Sequence, residues 1–97
     1  MAYFSPIELT TKFVMISIDD FKIASFEKKC DLITSNTTYI TSRSDEAKKV
    51  YLYHSGKYFI EVFYSPLLKR VLFIHAFNDQ KNLLPYAESV SLGELDL

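Results

Sequence analysis

Three segments near the middle of this 97-residue chain alternate in side-chain character with a period of two, and they constrain the fold more than any other feature. They cover residues 49–54, 57–64 and 70–77. All three are rich in Val, Ile, Phe and Tyr, which favour strands. Ser55-Gly56 and Ser65-Pro66 separate them and are typical of turns. Such short connections join antiparallel neighbours, so the pattern predicts an antiparallel meander.

Helix signals precede the strands. Ser5-Pro6 predicts a short helix over 6–12, since Ser can cap a helix and Pro suits its first position. Ser17, followed by acidic residues in the first turn, predicts the start of a second short helix. Ser25 is predicted to cap a third helix that runs to about Ser35.

The third helix carries an apolar stripe at helical spacing, formed by Phe26, Cys30 and Ile33. Asn36 follows its last turn, where a left-handed terminating residue is expected. Cys30 on this stripe is interpreted as a buried, inert side chain rather than a catalytic thiol.

The remaining segments complete the predicted fold. Residues 37–43 predict a strand, and a polar connection over 44–48 leads into the meander. After it, Asn78 or Asp79 can cap a short helix that Pro85 ends or kinks, and the segment from Val90 fits either a short strand or a stretch lying across the core. The chain is therefore expected to be one α+β domain over 1–97, with short N-terminal helices packed on a roughly four-stranded antiparallel meander and a short C-terminal helix or tail.

Composition limits the class of protein. The net charge of −1 argues against a dedicated nucleic-acid binder. No apolar run approaches the ~18 residues that span a bilayer, and the N-terminus does not resemble a secretory signal. One Cys fits a reducing compartment. We therefore expect a cytoplasmic protein with no membrane contact, no metal site and no cofactor.

Alternation along the strands assigns side chains to faces. The aliphatic residues are predicted on the helix-covered face: Val50, Leu52, Ile60, Val62, Leu72, Ile74 and Ala76. The opposite face then carries Tyr51, Tyr53, Phe59, Glu61, Phe63, Val71, Phe73 and His75. This assignment requires an odd-numbered loop or a bulge in both hairpins, because a slip of one residue exchanges the faces. An aromatic second face is unusual for a solvated sheet and predicts a covering layer or a partner.

Glu61 and His75 form the one acid–imidazole pair that the strands bring close. A carboxylate favours the charged imidazole, so the pair suits acid–base chemistry or anion contact. A cross-strand ion pair is the better interpretation, because no nucleophile or glycine-rich loop accompanies the two residues. His54 beside the turn is interpreted as an exposed turn residue rather than a metal ligand.

Basic residues flank the aromatic strands: Arg43, Lys48, Lys49, Lys57, Lys69 and Arg70. Aromatic strands with basic edges occur in modules that stack single-stranded nucleic acid. Lysines at strand edges also prevent aggregation, and this is the preferred explanation. Beyond Val71 the chain is acidic, so the acidic side chains of the tail could pair with the basic residues of the hairpins, either within one chain or between two chains.

The middle and end of the chain resemble a group of short bacterial proteins of the Bacteroidota type, without a characterised function. The resemblance covers roughly residues 17–97. It is carried by Phe26-Glu27-Lys28, Val50-Tyr51-Leu52-Tyr53, Tyr58-Phe59-Ile60-Glu61-Val62-Phe63-Tyr64, Ala76-Phe77 and Leu84-Pro85-Tyr86. It implies helices followed by an antiparallel meander and brings no activity. Such proteins tend to be polar at Phe73 and basic at His75, so this chain departs by being more aromatic.

Three functional hypotheses follow. The first is a non-catalytic interaction domain that forms a homodimer or binds another protein through the aromatic face, with interface candidates Tyr51, Tyr53, Phe59, Glu61, Phe63, Phe73 and His75. The second is a module that stacks a small ligand or single-stranded nucleic acid on Tyr51, Tyr53, Phe59 and Phe73. The third, weaker, is an enzyme centred on Glu61 and His75, which would need a concave pocket at that pair.

Overall fold

The computed structural model describes residues 15–87, and these form an α+β fold as predicted. The elements in chain order are α1 (Ile18–Ile23), α2 (Phe26–Asn36), β1 (Thr38–Asp45), β2 (Lys48–His54), β3 (Phe59–Ser65), β4 (Arg70–Phe77) and a 3₁₀ helix (Gln80–Tyr86). The helix predicted over 6–12 and the segment from Val90 lie outside the described residues. Within residues 15–87, neither α-helix is long and apolar enough to cross a bilayer.

The predicted serine caps at Ser17 and Ser25 are confirmed. The Ser17 hydroxyl accepts a hydrogen bond from the Asp20 amide at 3.1 Å, and the Ser25 hydroxyl accepts one from the Lys28 amide at 3.1 Å. Each bond satisfies an amide that the first turn of a helix leaves without a backbone partner. The 3₁₀ helix begins in the same way at Asp79, whose carboxylate accepts from the Lys81 amide at 2.9 Å.

The predicted end and stripe of α2 are partly wrong. Asn36 is the last helical residue, and Thr37 follows in an extended conformation with φ −131°. The Thr37 hydroxyl donates to the Ile33 carbonyl at 2.6 Å, so a terminal carbonyl is satisfied without a left-handed residue. Ile33 is buried, but Cys30 is only half-buried, and Phe26, the first residue of the helix, is 54 % exposed.

The four strands form one antiparallel sheet in the order β1-β2-β3-β4, which confirms the meander. β3 begins at Phe59, later than predicted. The reason lies at Ser55, whose hydroxyl oxygen accepts hydrogen bonds from the amides of Lys57 at 3.2 Å and Tyr58 at 3.1 Å. A serine that captures nearby amides competes with strand pairing, so these two residues belong to the turn.

The predicted face of β2 is wrong. The turn between β2 and β3 leaves an even number of residues, 55–58, between the paired His54 and Phe59. The register therefore places Leu52 opposite Glu61 and Tyr53 opposite Ile60. Val50 and Leu52 share a face with Phe59, Glu61 and Phe63, whereas Tyr51 and Tyr53 share a face with Ile60 and Val62.

The predicted faces of β3 and β4 agree with the structure for most residues. Ile60 pairs with Ala76 and Val62 with Ile74, while Phe63 pairs with Phe73 on the other face. The register then shifts, so that Tyr64 pairs with Val71 and Leu72 is the extra residue of a bulge. The bulge corrects the position of Val71, which was predicted on the aromatic face but pairs with Tyr64 and so shares a face with Ile60 and Val62.

Each face of the sheet carries its own core cluster. α1 and α2 cover the first, whose buried members are Met15, Phe21, Leu32, Ile33, Tyr58, Ile60 and Ala76. The 3₁₀ helix covers part of the second, whose buried members are Leu52, Phe59, Phe77, Leu83 and Tyr86. A covering layer was one of the two expected explanations for the aromatic character of this face, and the 3₁₀ helix is such a layer. It covers only some of that face.

Candidate functional site

A buried carboxylate lies at the centre of the aromatic face. Glu61 is in the middle of β3, in register with Leu52 on one side and His75 on the other. It is only 4 % exposed. A charged side chain this far from water must be paired and hydrogen-bonded to be tolerated.

Three other elements supply donors to this carboxylate. Tyr86 Oη donates to Oε2 of Glu61 at 2.6 Å, and Arg43 Nη2 donates to the same oxygen at 3.3 Å. His75 Nδ1 lies 3.0 Å from the other oxygen, Oε1. We call these four residues the Glu61 network. It ties β1, β4 and the 3₁₀ helix to β3 through one side chain.

Arg43 is enclosed by aromatic rings as well as by the carboxylate. Its guanidinium carbon lies 5.1 Å from the Tyr86 ring centroid and 6.0 Å from that of Phe63, a geometry in which the ring faces attract the cation. Burial lowers the pKa of Arg43, but Tyr86 and Glu61 together raise it above its ordinary value. Its Nε is buried and has no acceptor among residues 15–87.

Tyr86 is fixed as a neutral donor. Burial, with the hydrogen bond to Glu61 next, raises the pKa of Tyr86 well above its ordinary value of 10.0, although Arg43 opposes the shift. Ionisation of the phenol would bring a second negative charge to a carboxylate that is already buried. The network therefore holds Tyr86 protonated and keeps the 3₁₀ helix on the sheet.

Of the predicted site residues, five share the aromatic face: Phe59, Glu61, Phe63, Phe73 and His75. Phe59 is fully buried under the 3₁₀ helix, where its ring stacks on Phe77 at 5.5 Å. Phe73 is 50 % exposed and stacks on the buried Phe63 with ring centroids 4.2 Å apart. The exposed part of the predicted surface is therefore on β4.

Tyr51 and Tyr53 lie on the opposite face, contrary to the prediction. They form a cluster with Tyr39 of β1, whose ring centroid is 6.5 Å from that of Tyr51 and 5.7 Å from that of Tyr53. Burial, followed by the two neighbouring phenols, raises the pKa of Tyr53. This cluster is separated from Phe59 and Phe73 by the thickness of the sheet.

Sequence reasoning missed Arg43 and Tyr86 as members of the network. Arg43 was noted among the basic residues beside the strands and Tyr86 within the resemblance, but nothing in the sequence directs either residue to Glu61. A usable signal was Glu61 itself, an acid within an otherwise apolar strand, because a buried carboxylate requires cationic or hydroxyl donors from elements outside its own strand.

The arrangement is better suited to holding the fold than to chemistry. Both oxygens of Glu61 are engaged, and the carboxylate is buried, while the His75 side chain is 47 % exposed. Among residues 15–87, no group of three His, Cys, Asp or Glu side chains is placed to hold a metal ion. The network is a positioning device that leaves Phe73 and the ring of His75 at the surface.

Comparison with known proteins gave no relative. No family model matches the chain, and neither a curated protein nor a solved structure matches it.

Proposed function

We propose that this chain is a small non-catalytic interaction domain that self-associates as a two-fold homodimer through β4. The surface involved consists of Leu72, Phe73 and His75 together with the exposed leucines of the preceding turn, Leu67 and Leu68, and is called the β4 surface below. The observation that carries the proposal is Phe73: it lies on the edge strand β4, is half exposed, and stacks its ring on the buried Phe63 of β3.

The two edges of the sheet differ in how they are protected. Within residues 15–87, β1 pairs only with β2, and β4 only with β3. β1 has the sequence TYITSRSD, with Arg43 and Asp45 among its polar residues and a bulge near Ile40. β4 has the sequence RVLFIHAF, whose fixed charge is confined to Arg70 at its start. Both edges carry a bulge, that of β4 at Leu72, so the difference lies in their side chains. Polar and charged residues discourage edge-to-edge pairing, so among residues 15–87 the apolar β4 is the edge better suited to pair with another strand.

Apolar exposure continues into the turn before β4. Leu67 and Leu68 are strongly exposed there, and Leu72 and Phe73 follow in the strand. Contiguous exposed apolar side chains on a small domain are typical of an interaction surface. A second copy offers the same apolar strand edge, and two antiparallel edges related by a two-fold axis can extend one sheet into the next.

The other two hypotheses have less support. The nucleic-acid hypothesis requires one shared face for the four stacking residues Tyr51, Tyr53, Phe59 and Phe73. They are divided between two faces, and Phe59 is buried. An enzyme centred on Glu61 and His75 needs an accessible carboxylate, whereas that of Glu61 is buried and bound by three donors.

Light scattering over a dilution series tests the proposal. The wild type is expected at twice the 11.3 kDa chain mass when concentrated, and Phe73→Glu at 11.3 kDa throughout. Phe26→Glu is the matched control, because Phe26 is 54 % exposed and Phe73 is 50 % exposed, but Phe26 lies on α2. Circular dichroism verifies that both variants fold. A wild type that stays monomeric, or equal dissociation of the two variants, contradicts the proposal.

A further inference from the structure

We propose that a pocket between α1, α2 and β4 binds a small carboxylate, with a carboxyl group carried on an apolar body of about four to six carbon atoms. This inference does not depend on self-association. The pocket has a volume of about 120 Å³ and is lined by Phe21, Lys22, Lys29, Ile74, His75 and Ala76.

The size of the pocket limits its occupant. A cavity of ~150 Å³ with apolar walls is large enough for benzene, whereas sites for drug-sized molecules and cofactors begin at roughly 300 Å³. The pocket is open to solvent on one side, and its volume of 120 Å³ holds a short branched or cyclic hydrocarbon group rather than a whole nucleotide or flavin. Phe21, Ile74 and Ala76 supply apolar walls for such a group.

The charge of the pocket comes from two lysines. Lys22 and Lys29 both line it, and neither makes an ion pair or hydrogen bond with any group of residues 15–87. The Lys29 ammonium lies 5.9 Å from the Phe21 ring centroid, which places a cation beside the apolar wall. The ring of His75 belongs to the opposite face of the sheet, where Nδ1 lies 3.0 Å from Oε1 of Glu61, so the cations considered for this pocket are the two lysines.

Apolar walls together with two lysines favour an anion that carries an apolar group. A neutral hydrocarbon would fill the walls but gain no attraction from the two ammonium groups, and a bare inorganic anion would leave the walls empty. A carboxylate on a short apolar body satisfies both parts, since an ammonium donates well to a carboxylate oxygen. So small a ligand is expected to bind in the millimolar range.

The test is an NMR titration of the ¹⁵N-labelled full chain with 4-methylpentanoate, beside its uncharged analogue 4-methylpentanamide. The acid should shift the amide signals of Phe21, Ile74 and Ala76 and bind about fivefold more tightly than the amide. Lys22→Gln and Lys29→Gln should each weaken binding of the acid by about three- to fivefold and leave the amide unaffected. The control is Lys81→Gln, an exposed lysine on the 3₁₀ helix, which should change neither affinity.

Three results would overturn the proposal. The first is equal affinity for acid and amide, which would remove the role of the lysines. The second is a loss with Lys81→Gln as large as with the pocket variants, which would indicate a general charge effect. The third is an absence of shifts at the pocket residues up to about 50 mM acid, well above the expected dissociation constant.

Discussion

Removal of one hydroxyl, in Tyr86→Phe, tests the Glu61 network most sharply. The ring still fills its place beneath the sheet face, so the substitution deletes only the 2.6 Å hydrogen bond to Glu61. Hydrogen bonds to charged groups contribute about 1.5–3 kcal/mol, and this one is short and buried. We expect a loss of about 2 kcal/mol in the free energy of unfolding, a large part of the stability of a domain this size.

Urea denaturation at neutral pH measures this loss as a shift of the midpoint by about 1 M. Tyr39→Phe is the matched control, because that phenol is half exposed and has no hydrogen-bond partner among the described residues. It should change stability by less than about 0.5 kcal/mol.

The pH dependence of the same variant supplies a second test. The pKa of Tyr86 is raised in the folded state above the 10.0 of an ordinary tyrosine. Its stabilising contribution is therefore complete below pH 10, where the phenol is protonated in both states. As the pH rises further, the unfolded chain ionises first, and the contribution falls by up to about 1.4 kcal/mol per pH unit.

The difference in stability between the wild type and Tyr86→Phe should consequently shrink above pH 10. Two results would refute the reasoning. One is a cost at neutral pH no larger than that of Tyr39→Phe. The other is a difference between wild type and variant that stays constant, or widens, as the phenol ionises.

Three further predictions concern single side chains. Glu61→Gln should cost about 2–4 kcal/mol in urea denaturation, because it leaves Arg43 partly buried without its counter-charge. Burial lowers the pKa of His54, so an NMR titration should give a midpoint below 6.5. The stability that the neutral imidazole contributes should be lost as the pH falls from 6.5 through that midpoint, and His54→Gln should show no such loss. Lys69 has a left-handed backbone with φ 57°, so Lys69→Gly should raise the unfolding free energy by about 0.5–1 kcal/mol; an unchanged thermal midpoint would contradict this.

Elements that depend on local chemistry were predictable from the sequence. Ser17 and Ser25 act within one helical turn, so their patterns located the starts of α1 and α2. Strand β4 was predicted with its observed limits, because a run of β-branched and aromatic residues lies between the turn that Pro66 starts and the polar Asn78. Of the two residues predicted as a possible cap of the last helix, Asn78 and Asp79, the structure uses Asp79.

Features that depend on loop geometry or on distant partners were not predictable in the same way. The face of β2 is set by a loop in which Ser55 captures two amides, and sequence alternation does not fix whether such a loop is odd or even. The network is assembled by residues 18 and 25 positions from Glu61, namely Arg43 and Tyr86. Their convergence depends on the sheet order and on the path of the chain after β4.

Intermolecular nuclear Overhauser effects in a mixture of labelled and unlabelled chains test most directly whether β4 of one copy meets a second copy. The proposal predicts contacts between protomers from the Phe73 ring and from the exposed edge of β4. Their absence at concentrations where the mass is that of a dimer, or contacts that come instead from Tyr39 and Tyr51, would contradict it.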